Sequence, residues 1–580
     1  MIPLEEKPWM KYYTDENFKE YDLNKSIYDF IKDMNEGYPD NEPTINLYGD
    51  IVDRAEFLRR CREFGKAFYE LGVNSSNYTI AMIMPTMEET YEVMYGASYV
   101  GCRINPIDFR NFNPEVLKAS INAAGAKLLV ICDLICNKEL INYLFQNTEL
   151  EHMVVIHMPA TGKTQVGREI TDFMLKAKAS SIVYDGEKVL SLEQFYEKAA
   201  QSEFTEEMRF KKPGDKFLLV QSSGTTGSMP KRLYASECQL NKVIKQHMNC
   251  HVKFERGDRV LDIMPKWAFF GFVGMHWGLS IGMIICPVVI PMAIFFLDMI
   301  KRYKPQFTMC SPTFALALLN SNVKDLNCFK TFIVGGDSVP YELEGRLNAM
   351  FQKYGKIKHI SSGYSASENC AVGCACQNDI YKQGSVGIPY PEMEFMVIDE
   401  KAFYERNELV RLPIGQEGIF CMGGLLVEGY DESHKEDEER LFRYDERGDR
   451  WFVAEDIGYI DEDGFLFFKN REKDIIITKD GTKVIPKVVE DTIRKNENVA
   501  NCVAVGKAYK GDKPGEFICC YIVPRDGKPG FFKKRKMIKD SKKLAKTFLP
   551  FHSRPAKYVF LDALPMTPMG KLDRKKLKGM

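Results

Sequence analysis

The chain has 580 residues, which is too long for one ordinary hydrophobic core and predicts at least two domains. Hydrophobic residues make up 45% of the sequence and charged residues 27%, a balance that excludes a disordered or fibrous protein. The formal net charge of -1 gives no sign of a nucleic-acid-binding surface at the level of the whole chain.

The cysteines and the first residues both bear on where the protein works. The 16 cysteines show no short disulfide-framework spacing, and Met1–Lys7 contains no basic segment followed by an apolar one. These features predict a cytoplasmic protein. Cys370, Cys374 and Cys376 lie close together, but no second Cys or His pair follows at zinc-finger spacing, so a zinc site is disfavoured.

Strands and helices alternate along the first two thirds of the chain. Residues 78–108 predict an apolar strand, a helix and a second apolar strand that ends near Pro106. Further apolar strands are predicted at residues 127–131, 217–221, 307–310 and 332–334. This alternation predicts a doubly wound α/β fold with a mainly parallel sheet.

Residues 268–297 contain no charged side chain, which is long enough to raise the possibility of a membrane span. Several glycines and prolines interrupt the stretch, and basic anchors do not flank it. A buried helix followed by a short buried strand is therefore the favoured interpretation.

The sequence changes character after about residue 385. Short alternating strands with turn signals predict a β-rich subdomain over 385–471. The chain then becomes strongly charged, and residues 531–580 hold 15 Lys or Arg against 3 Asp, a difference of +12. We therefore expect a large N-terminal domain over 1–471 and a small basic C-terminal domain over 472–580. The basic tail is explained by a solvated face or by attraction of the phosphates on coenzyme A.

A predicted strand leads into a loop rich in glycine and hydroxyl side chains that ends at Lys231. Such a loop suits phosphate binding, because glycines allow close backbone approach while amides, hydroxyls and a lysine attract phosphate oxygens. The spacing does not fit the GxxxxGK[ST] pattern of a P-loop. The predicted binding residues are Ser222, Ser223, Gly224, Thr225, Thr226, Gly227 and Lys231.

The loop sequence SSGTTGSMPK, residues 222–231, closely resembles the signature of the adenylate-forming superfamily, which includes acyl-CoA synthetases, peptide-synthetase adenylation domains and beetle luciferases. One departure is that Ser228 and Met229 stand where the family usually has a single residue, which affects the reach of Lys231. Other family motifs follow in order, so the resemblance covers nearly the whole chain. It implies doubly wound sheets with a β-rich subdomain, followed by a small mobile α+β domain.

The segment Gly363–Glu368 is similar to the family's aromatic-Gly-x-Thr-Glu motif, with Ser365 and Ser367 replacing Gly and Thr. The resemblance implies that Tyr364 stacks on adenine, Ser367 donates to the α-phosphate and Glu368 binds Mg²⁺, which prefers hard oxygen ligands. Without the ordered motifs, Glu368 would be interpreted as a solvated carboxylate. Gly363, Gly336 and Asp337 complete the residues expected around the nucleotide at this point of the chain.

The segment Phe452–Tyr459 resembles the family's Thr-Gly-Asp motif, with Ala454 and Glu455 replacing Thr and Gly. The retained Asp456 is expected to accept hydrogen bonds from the ribose hydroxyls. Asn470–Ile476 resembles the hinge motif, which implies that Arg471 contacts ribose or phosphate and that the small domain pivots near Lys473. The following Gly481 belongs to a segment that is expected to line a thiol tunnel after rotation.

The end of the chain, Pro565–Lys571, is similar to the family's closing Pro-x-Thr-x-x-Gly-Lys motif. The resemblance implies that Lys571 bridges the acid and the α-phosphate. A cation there offsets the charge that builds up when a carboxylate attacks phosphorus. Without that context, Lys571 would be one solvated lysine of a basic tail.

These motifs predict a reaction in two steps. A carboxylic acid and ATP form acyl-AMP and pyrophosphate, with Mg²⁺ as cofactor, and the thiol of coenzyme A then takes the acyl group. The predicted catalytic residues are Lys571, Glu368 and Thr225. No Ser-His-Asp or Cys-His arrangement is evident, so positioning and electrostatics are expected to carry the catalysis.

The acid itself is weakly indicated. Ala268 stands where family members that activate amino acids carry Asp and many fatty or aryl acid enzymes carry His. An α-amino acid is therefore disfavoured, and the surrounding apolar stretch favours a fatty or aryl acid. Trp267 and Phe270 are predicted to form the substrate pocket, although Trp267 also suits a core position.

Two other functions stay open. The chain could load an acyl or aminoacyl group onto the phosphopantetheine of a carrier protein, or it could be a degenerate nucleotide-binding homologue with a regulatory role. Acid-dependent ATP–pyrophosphate exchange would argue against the degenerate homologue. Formation of a coenzyme A thioester would distinguish an acyl-CoA ligase from an enzyme that loads a carrier protein.

Overall fold

The computed structural model describes residues 6–109, 113–157, 182–210, 212, 214–221, 231–337, 339–471, 476–479, 483–484, 486–509, 515–527, 529–566 and 572–580. The strands among them are β1 (Pro43–Leu47), β2 (Asp50–Asp53), β3 (Thr79–Ile83), β4 (Arg103–Pro106), β5 (Ala126–Cys132), β6 (His152–Ile156), β7 (Val189–Ser191), β8 (Lys216–Gln221), β9 (Arg232–Ser236), β10 (Arg259–Asp262), β11 (Ile284–Pro287), β12 (Phe307–Cys310), β13 (Thr331–Val334), β14 (Ser361–Tyr364), β15 (Cys374–Ala375), β16 (Ile388–Pro389), β17 (Glu394–Ile398), β18 (Gly418–Gly423), β19 (Gly429–Tyr430), β20 (Phe442–Tyr444), β21 (Arg450–Ile460), β22 (Leu466–Arg471), β23 (Ile476–Ile477), β24 (Lys483–Val484), β25 (Val499–Ala508), β26 (Glu516–Pro524) and β27 (Lys557–Phe560).

The α-helices are α1 (Ile27–Met34), α2 (Arg54–Glu70), α3 (Glu88–Val100), α4 (Pro114–Ala124), α5 (Lys138–Asn147), α6 (Leu192–Gln201), α7 (Glu237–Asn249), α8 (Phe269–Ser280), α9 (Ala293–Tyr303), α10 (Pro312–Leu319), α11 (Tyr341–Tyr354), α12 (Glu400–Arg406), α13 (Lys435–Leu441), α14 (Pro486–Arg494), α15 (Phe531–Phe548) and α16 (Arg574–Gly579). Side-chain caps fix several of their starts. For example, the Asp53 carboxylate accepts from the Glu56 amide at 2.9 Å at the first turn of α2.

An eight-stranded sheet contains the strand before the phosphate loop, in the order β19–β9–β8–β4–β3–β5–β6–β7. The strands from β8 to β7 pair in parallel, whereas β9 and β19 continue the sheet antiparallel. All five residues of β3 are buried, because helices pack on both faces of a parallel sheet.

A nine-stranded sheet has the order β16–β15–β14–β13–β12–β10–β11–β1–β2. Its centre, from β14 to β1, is parallel. The carboxyl ends of parallel strands meet at one edge, where ligands bind in open α/β sheets. The predicted doubly wound arrangement with mainly parallel sheets is confirmed, and the predicted apolar strands are found as β3 to β5, β8, β12 and β13.

The later chain builds smaller sheets. A five-stranded sheet has the order β17–β18–β21–β20, with β22 also pairing with β21, and it forms the predicted β-rich region. β23 pairs with β24, and β25, β26 and β27 form a three-stranded sheet. The buried faces of α14 and α15 contribute to one hydrophobic core with this last sheet, through side chains such as Val489, Ile493, Met537 and Ala545.

The chain divides into two compact units. Unit 1 holds residues 1–395, 422–452 and 463–465, and unit 2 holds residues 396–421, 453–462 and 466–580. The predicted division into a domain over 1–471 and a mobile lid over 472–580 stays a prediction.

The uncharged stretch forms α8, then β11, and then the start of α9, which agrees with the predicted buried helix and buried strand. Nearly every residue of α8 is buried. Because the helix has no face toward solvent, its sequence is apolar on nearly all sides. Across the described residues, no helix combines the length and the apolar character that a membrane crossing needs.

All 16 cysteines of the chain are free. Fourteen of them are buried, and only Cys238 and Cys328 are of intermediate exposure. Burial raises the pKa of Cys376 to about 12. Among the described residues no group of three or more His, Cys, Asp or Glu side chains is arranged to hold a metal ion.

Candidate active site

The two strands that flank the predicted phosphate loop form an antiparallel pair. Gln221, the last residue of β8, lies opposite Arg232, the first residue of β9. The loop between them, residues 222–230, lies outside the described residues, and so do the predicted binding residues Ser222, Ser223, Gly224, Thr225, Thr226 and Gly227. Of the predicted phosphate-binding residues in this loop, Lys231 is the one whose contacts the structure describes.

Lys231 points toward an acidic helix and an aromatic ring. Its ammonium nitrogen lies 2.9 Å from the Asp437 carboxylate on α13 and 5.0 Å from the centre of the Tyr430 ring. Burial opposes ionisation of Asp437, but the Lys231 ammonium more than compensates, and the pKa of Asp437 falls below its usual range. A phosphate group would have to compete with Asp437 for this lysine.

Tyr430 links Lys231 to Glu368. The Tyr430 hydroxyl donates to the Glu368 carboxylate at 2.5 Å, and the Val427 amide donates to the Glu368 carbonyl at 2.8 Å. Tyr430 itself is buried in the two-residue strand β19, which pairs with β9 at Leu233. The structure thus brings the predicted metal-binding glutamate to the hydroxyl of one tyrosine and the predicted phosphate-binding lysine over its ring.

A short turn holds Glu368 in place. The Asn369 side-chain oxygen accepts from the Ala366 amide at 2.9 Å, and its side-chain nitrogen lies 3.1 Å from the Met422 sulfur. Asn369 is fully buried, so these contacts are shielded from water. Predicted Ser367 begins the 3₁₀ turn Ser367–Asn369, next to Glu368. The sequence reasoning missed both Tyr430 and Asn369, because only strand pairing and burial reveal their contacts.

Gly363 and Tyr364 end strand β14. Gly363 lies opposite Ala375 in β15, and a β-carbon on it would lie 2.5 Å from the Cys374 carbonyl oxygen, so a larger residue would force the backbone apart. The half-buried Tyr364 ring lies 6.3 Å from the Phe395 ring, centre to centre. A partly exposed ring at the carboxyl end of a parallel strand suits stacking on a nucleobase.

Gly336 and Asp337 follow the neighbouring strand β13, which pairs in parallel with β14 through Ile333 and Ser361. Gly336 has φ 78°, a left-handed conformation that favours glycine, and Asp337 is exposed. A β-carbon on Gly335 would lie 3.0 Å from the tip of the Phe270 ring. The structure therefore brings Gly336, Asp337, Gly363, Tyr364, Ser367 and Glu368 to the same carboxyl edge of the sheet, with Phe270 beside it.

The predicted substrate-pocket segment is built around a buried ion pair. Lys266 is 1% exposed, and its ammonium donates to the Asp262 carboxylate at 2.7 Å, the Gly271 carbonyl at 2.8 Å and the Met264 carbonyl at 2.9 Å. The Tyr91 hydroxyl donates to the other Asp262 oxygen at 2.6 Å. Burial lowers the pKa of Lys266, and the Asp262 carboxylate opposes that shift.

This network closes the turn that carries the two predicted pocket residues. Trp267 is 4% exposed, and its ring lies 5.4 Å from the Phe109 ring. Phe270 lies in the first turn of α8 and packs against Gly335. Lys266 thus fixes the backbone on both sides of the aromatic pair, a role that the sequence did not suggest for a lysine in an apolar segment.

Asp456 and Arg471 lie in unit 2. Asp456 is 7% exposed in β21 and stands opposite Arg471 of β22 in the strand register. Glu455, which occupies the usual glycine position of the motif, has φ 55°. This is the left-handed conformation that glycine adopts freely and that other residues adopt rarely. Binding of ribose by Asp456 and Arg471 stays a prediction.

The remaining predicted residues lie outside the described part of the chain. They are Lys473 at the expected hinge, Gly481 and Lys571. Their described neighbours are paired, since Ile476 stands opposite Val484 and Met566 forms a bridge with Leu572.

Glu368 fits the requirements of Mg²⁺. Magnesium is usually bound through one or two carboxylates together with substrate phosphates and water. Glu368 supplies one partly exposed carboxylate at a sheet edge. The Tyr430 hydroxyl donates to Oε1 of this carboxylate rather than to Oε2.

Known proteins resemble this chain over nearly its full length. The AMP-binding enzyme family model matches residues 33–430, more than half of the chain, and the AMP-binding enzyme C-terminal domain model matches residues 488–571. A long-chain-fatty-acid–CoA ligase of Bacillus subtilis is 24% identical over 99% of this chain and 98% of its own length. A probable 4-coumarate–CoA ligase 2 of Dictyostelium discoideum is 30% identical over 63% of each chain.

Solved structures give the same result for the fold. The crystal structure of an anthranilate CoA ligase in complex with anthranoyl-AMP superposes with a TM-score of 0.77, at 18% identity, and covers 96% of this chain and 98% of that chain. The family predicted from the motifs is confirmed, and so is the fold class. This chain is a member of the AMP-binding enzyme family.

Proposed function

We propose that this chain is an AMP-forming acid–thiol ligase, which activates a fatty or aryl carboxylic acid with ATP and transfers the acyl group to coenzyme A. The observation that carries the proposal is the position of Glu368, held by Tyr430 at the carboxyl edge of a parallel sheet in a chain that matches both AMP-binding segments in order. Relatives named as long-chain-fatty-acid–CoA and 4-coumarate–CoA ligases support the same reaction.

In the first step a carboxylate oxygen attacks the α-phosphorus of ATP. The bond from that phosphorus to the bridging oxygen of the β-phosphate breaks, and pyrophosphate leaves. The hydroxyl and amide groups of residues 222–227, with Thr225 as the catalytic member, donate to phosphate oxygens. Lys571 neutralises the two anions that meet, Tyr364 stacks on the base, and Asp456 and Arg471 hold the ribose.

Mg²⁺ would be held by Glu368 and would neutralise charge on the phosphates of ATP. Tyr430 fixes the rotamer of Glu368 by donating to Oε1 of its carboxylate, so Oε2 would be the oxygen offered to the metal. Lys231 is held by Asp437 at rest and binds phosphate when ATP draws it away.

In the second step the thiol sulfur of coenzyme A attacks the carbonyl carbon of acyl-AMP. The bond between that carbon and the AMP oxygen breaks, AMP leaves, and the thiol proton passes to water. The segment after residue 471 acts as a lid that pivots near Lys473 and presents Gly481 to the thiol. Residues 472–580 are then a functional domain, which the family match over 488–571 supports.

The acid is a fatty or aryl acid rather than an amino acid. Phe270 lies beside the nucleotide edge, Trp267 is the second apolar residue proposed for the acid pocket, and Ala268 between them carries no charge for an amino group. A reducing cytoplasm is the proposed setting, because all 16 cysteines are free.

The test is acid-dependent exchange of labelled pyrophosphate into ATP, followed by a screen of acids of increasing chain length with mass spectrometry of the thioester. Lys571→Ala should lower exchange by about a hundredfold or more, since it removes transition-state charge stabilisation. Lys575→Ala, another lysine of the same tail, is the matched control and should retain activity. Exchange without any acid requirement would contradict the proposal.

The two alternatives give different results in the same assay. A carrier-protein loading enzyme would accumulate acyl-AMP and form no thioester with free coenzyme A. A degenerate homologue would bind ATP without exchange for any acid in the screen.

A further inference from the structure

Helix α15 is a strongly basic helix at the surface of unit 2. Its 18 residues contain eight Lys or Arg and one Asp, a difference of +7, in a chain whose net charge is -1. Among the described ion pairs, one of these eight cations bonds to a carboxylate, Lys533 with Asp526 at 2.7 Å. Most of the positive charge therefore faces solvent with no acidic side chain in contact.

The apolar side of α15 is already used. Met537, Ser541 and Ala545 are buried, and the Asn496 side chain donates to the Met537 carbonyl at 3.1 Å and to the Ser541 hydroxyl at 3.0 Å. These contacts fix the rotation of the helix about its axis. The basic side chains are consequently presented as a rigid face on the outside of the unit.

Exposed phenylalanines stand at both ends of this helix. Phe531 and Phe532 at its start are 68% and 84% exposed, and Phe548 and Phe551 at its end are 53% and 85% exposed. An 18-residue helix is about 27 Å long, so the two aromatic pairs are separated by roughly that distance. Exposed phenylalanine has no polar atom to offer water, and four exposed rings within residues 531–551 exceed the scattered single cases of an ordinary surface.

Each aromatic end carries cations in contact with a ring. The Arg535 guanidinium lies 5.7 Å from the Phe531 ring centre, the Lys495 ammonium 4.0 Å from Phe548, and the Arg554 guanidinium 5.9 Å from Phe551. Rings flanked by cations match a boundary where apolar chains and anionic groups meet.

We propose that α15 and the turn through Phe551 dock the protein on an anionic lipid surface. The lysines face the headgroup phosphates, while the phenylalanines at the two ends insert below them. An anionic lipid surface offers a layer of phosphates with an apolar layer beneath it, which matches a basic helix with exposed rings at its two ends. The surface is separate from the residues of the proposed reaction, so either proposal can fail alone.

The test uses the full chain and sucrose-loaded vesicles of phosphatidylcholine, with or without one third phosphatidylglycerol. We expect cosedimentation with the anionic vesicles, little with the neutral ones, and weaker binding as salt is raised. Lys542→Glu/Lys543→Glu should weaken binding by about tenfold or more, and Phe532→Ser/Phe551→Ser by a similar factor. Matched controls are Lys301→Glu/Lys353→Glu and Tyr444→Ser, which change equally exposed residues elsewhere and should bind as the wild type does.

Thermal unfolding followed by circular dichroism should be nearly unchanged in all four variants, which shows that each one is folded whether or not the proposed reaction occurs. Failure of the wild type to bind anionic vesicles at low salt would overturn the proposal. So would equal loss of binding in the control variants, or capture of an acidic carrier protein by α15 in place of vesicles.

Discussion

The turn that holds Lys266 and the sheet edge that holds Lys231 both place a lysine beside a carboxylate, but their surroundings differ. Lys266 is 1% exposed and donates three hydrogen bonds within residues 262–271, whereas the Lys231 side chain is 18% exposed and its partner Asp437 is 30% exposed. A fully bonded buried ammonium has nothing left for a substrate. The comparison therefore distinguishes Lys266, which holds the backbone of the site together, from Lys231, which is accessible to a substrate.

The largest expected effect comes from breaking the buried pair. Lys266→Met leaves the Asp262 carboxylate buried without its cation, and we expect the free energy of unfolding to fall by about 3–5 kcal/mol. Urea denaturation measures it. Lys266→Met/Asp262→Asn removes both charges and keeps an acceptor for the Tyr91 hydroxyl, so it should lose clearly less. Equal losses in the single and double variants would show that the ion pair does not organise the turn.

The next test concerns the carboxylate on the accessible side. Glu368→Gln removes a charged oxygen ligand, and kcat/KM should fall by about a hundredfold or more while stability changes by less than about 1 kcal/mol. Pyrophosphate exchange across a Mg²⁺ titration is the measurement. The control is Glu432→Gln, which changes an exposed glutamate just after strand β19 and should retain the wild-type rate. A stability loss as large as that of Lys266→Met would make Glu368 structural.

A smaller effect is expected from the tyrosine that joins the two charges. Tyr430→Phe keeps the ring beside Lys231 but removes the hydroxyl that donates to Glu368. Loss of one hydrogen bond to a charged group, about 1.5–3 kcal/mol, predicts a decrease in kcat/KM of about ten- to hundredfold. If Tyr430 acts by positioning Glu368, the Mg²⁺ concentration for half-maximal rate rises as well. An unchanged Mg²⁺ requirement would contradict that role.

The smallest effect on stability should come from Lys231→Met. A partly exposed ion pair contributes less than about 1 kcal/mol. The Lys231 ammonium holds the pKa of Asp437 low, so its contribution is present at neutral pH and is lost as pH falls through that lowered pKa, below about pH 4. Unfolding of wild type and variant should therefore differ slightly at pH 7 and coincide in acid. The KM for ATP should rise in the variant, as it would not for a purely structural lysine.

Much of the fold follows from apolar periodicity. The strand, helix and strand predicted over 78–108 are β3, α3 and β4, and the uncharged stretch forms the predicted buried helix and strand. Local pattern suffices there because strands buried on both faces are continuous apolar runs. The order of the nine-stranded sheet did not follow, since pairing such as that of β1 with β11 joins segments far apart in sequence.

The candidate site was predictable where a motif is contiguous, as at Gly363–Glu368, and not where it is assembled in space. Tyr430 reaches Glu368 from a strand of two residues, too short to give a period. The role of Lys266 was not predicted, because its three acceptors are brought together only when the turn closes. Sequence alone also could not show that Glu455 adopts a left-handed φ or that Asp456 lies opposite Arg471 in the strand register.

The buried free thiols make local unfolding of the protein measurable through their reaction with a thiol reagent. A thiol reagent should label the native chain at Cys238 and Cys328, while the fourteen buried cysteines react only when their surroundings open. Cys421, Cys502, Cys519 and Cys520 belong to unit 2 and the others to unit 1. Peptide mapping after a labelling pulse therefore times the opening of each unit separately, without any engineered probe.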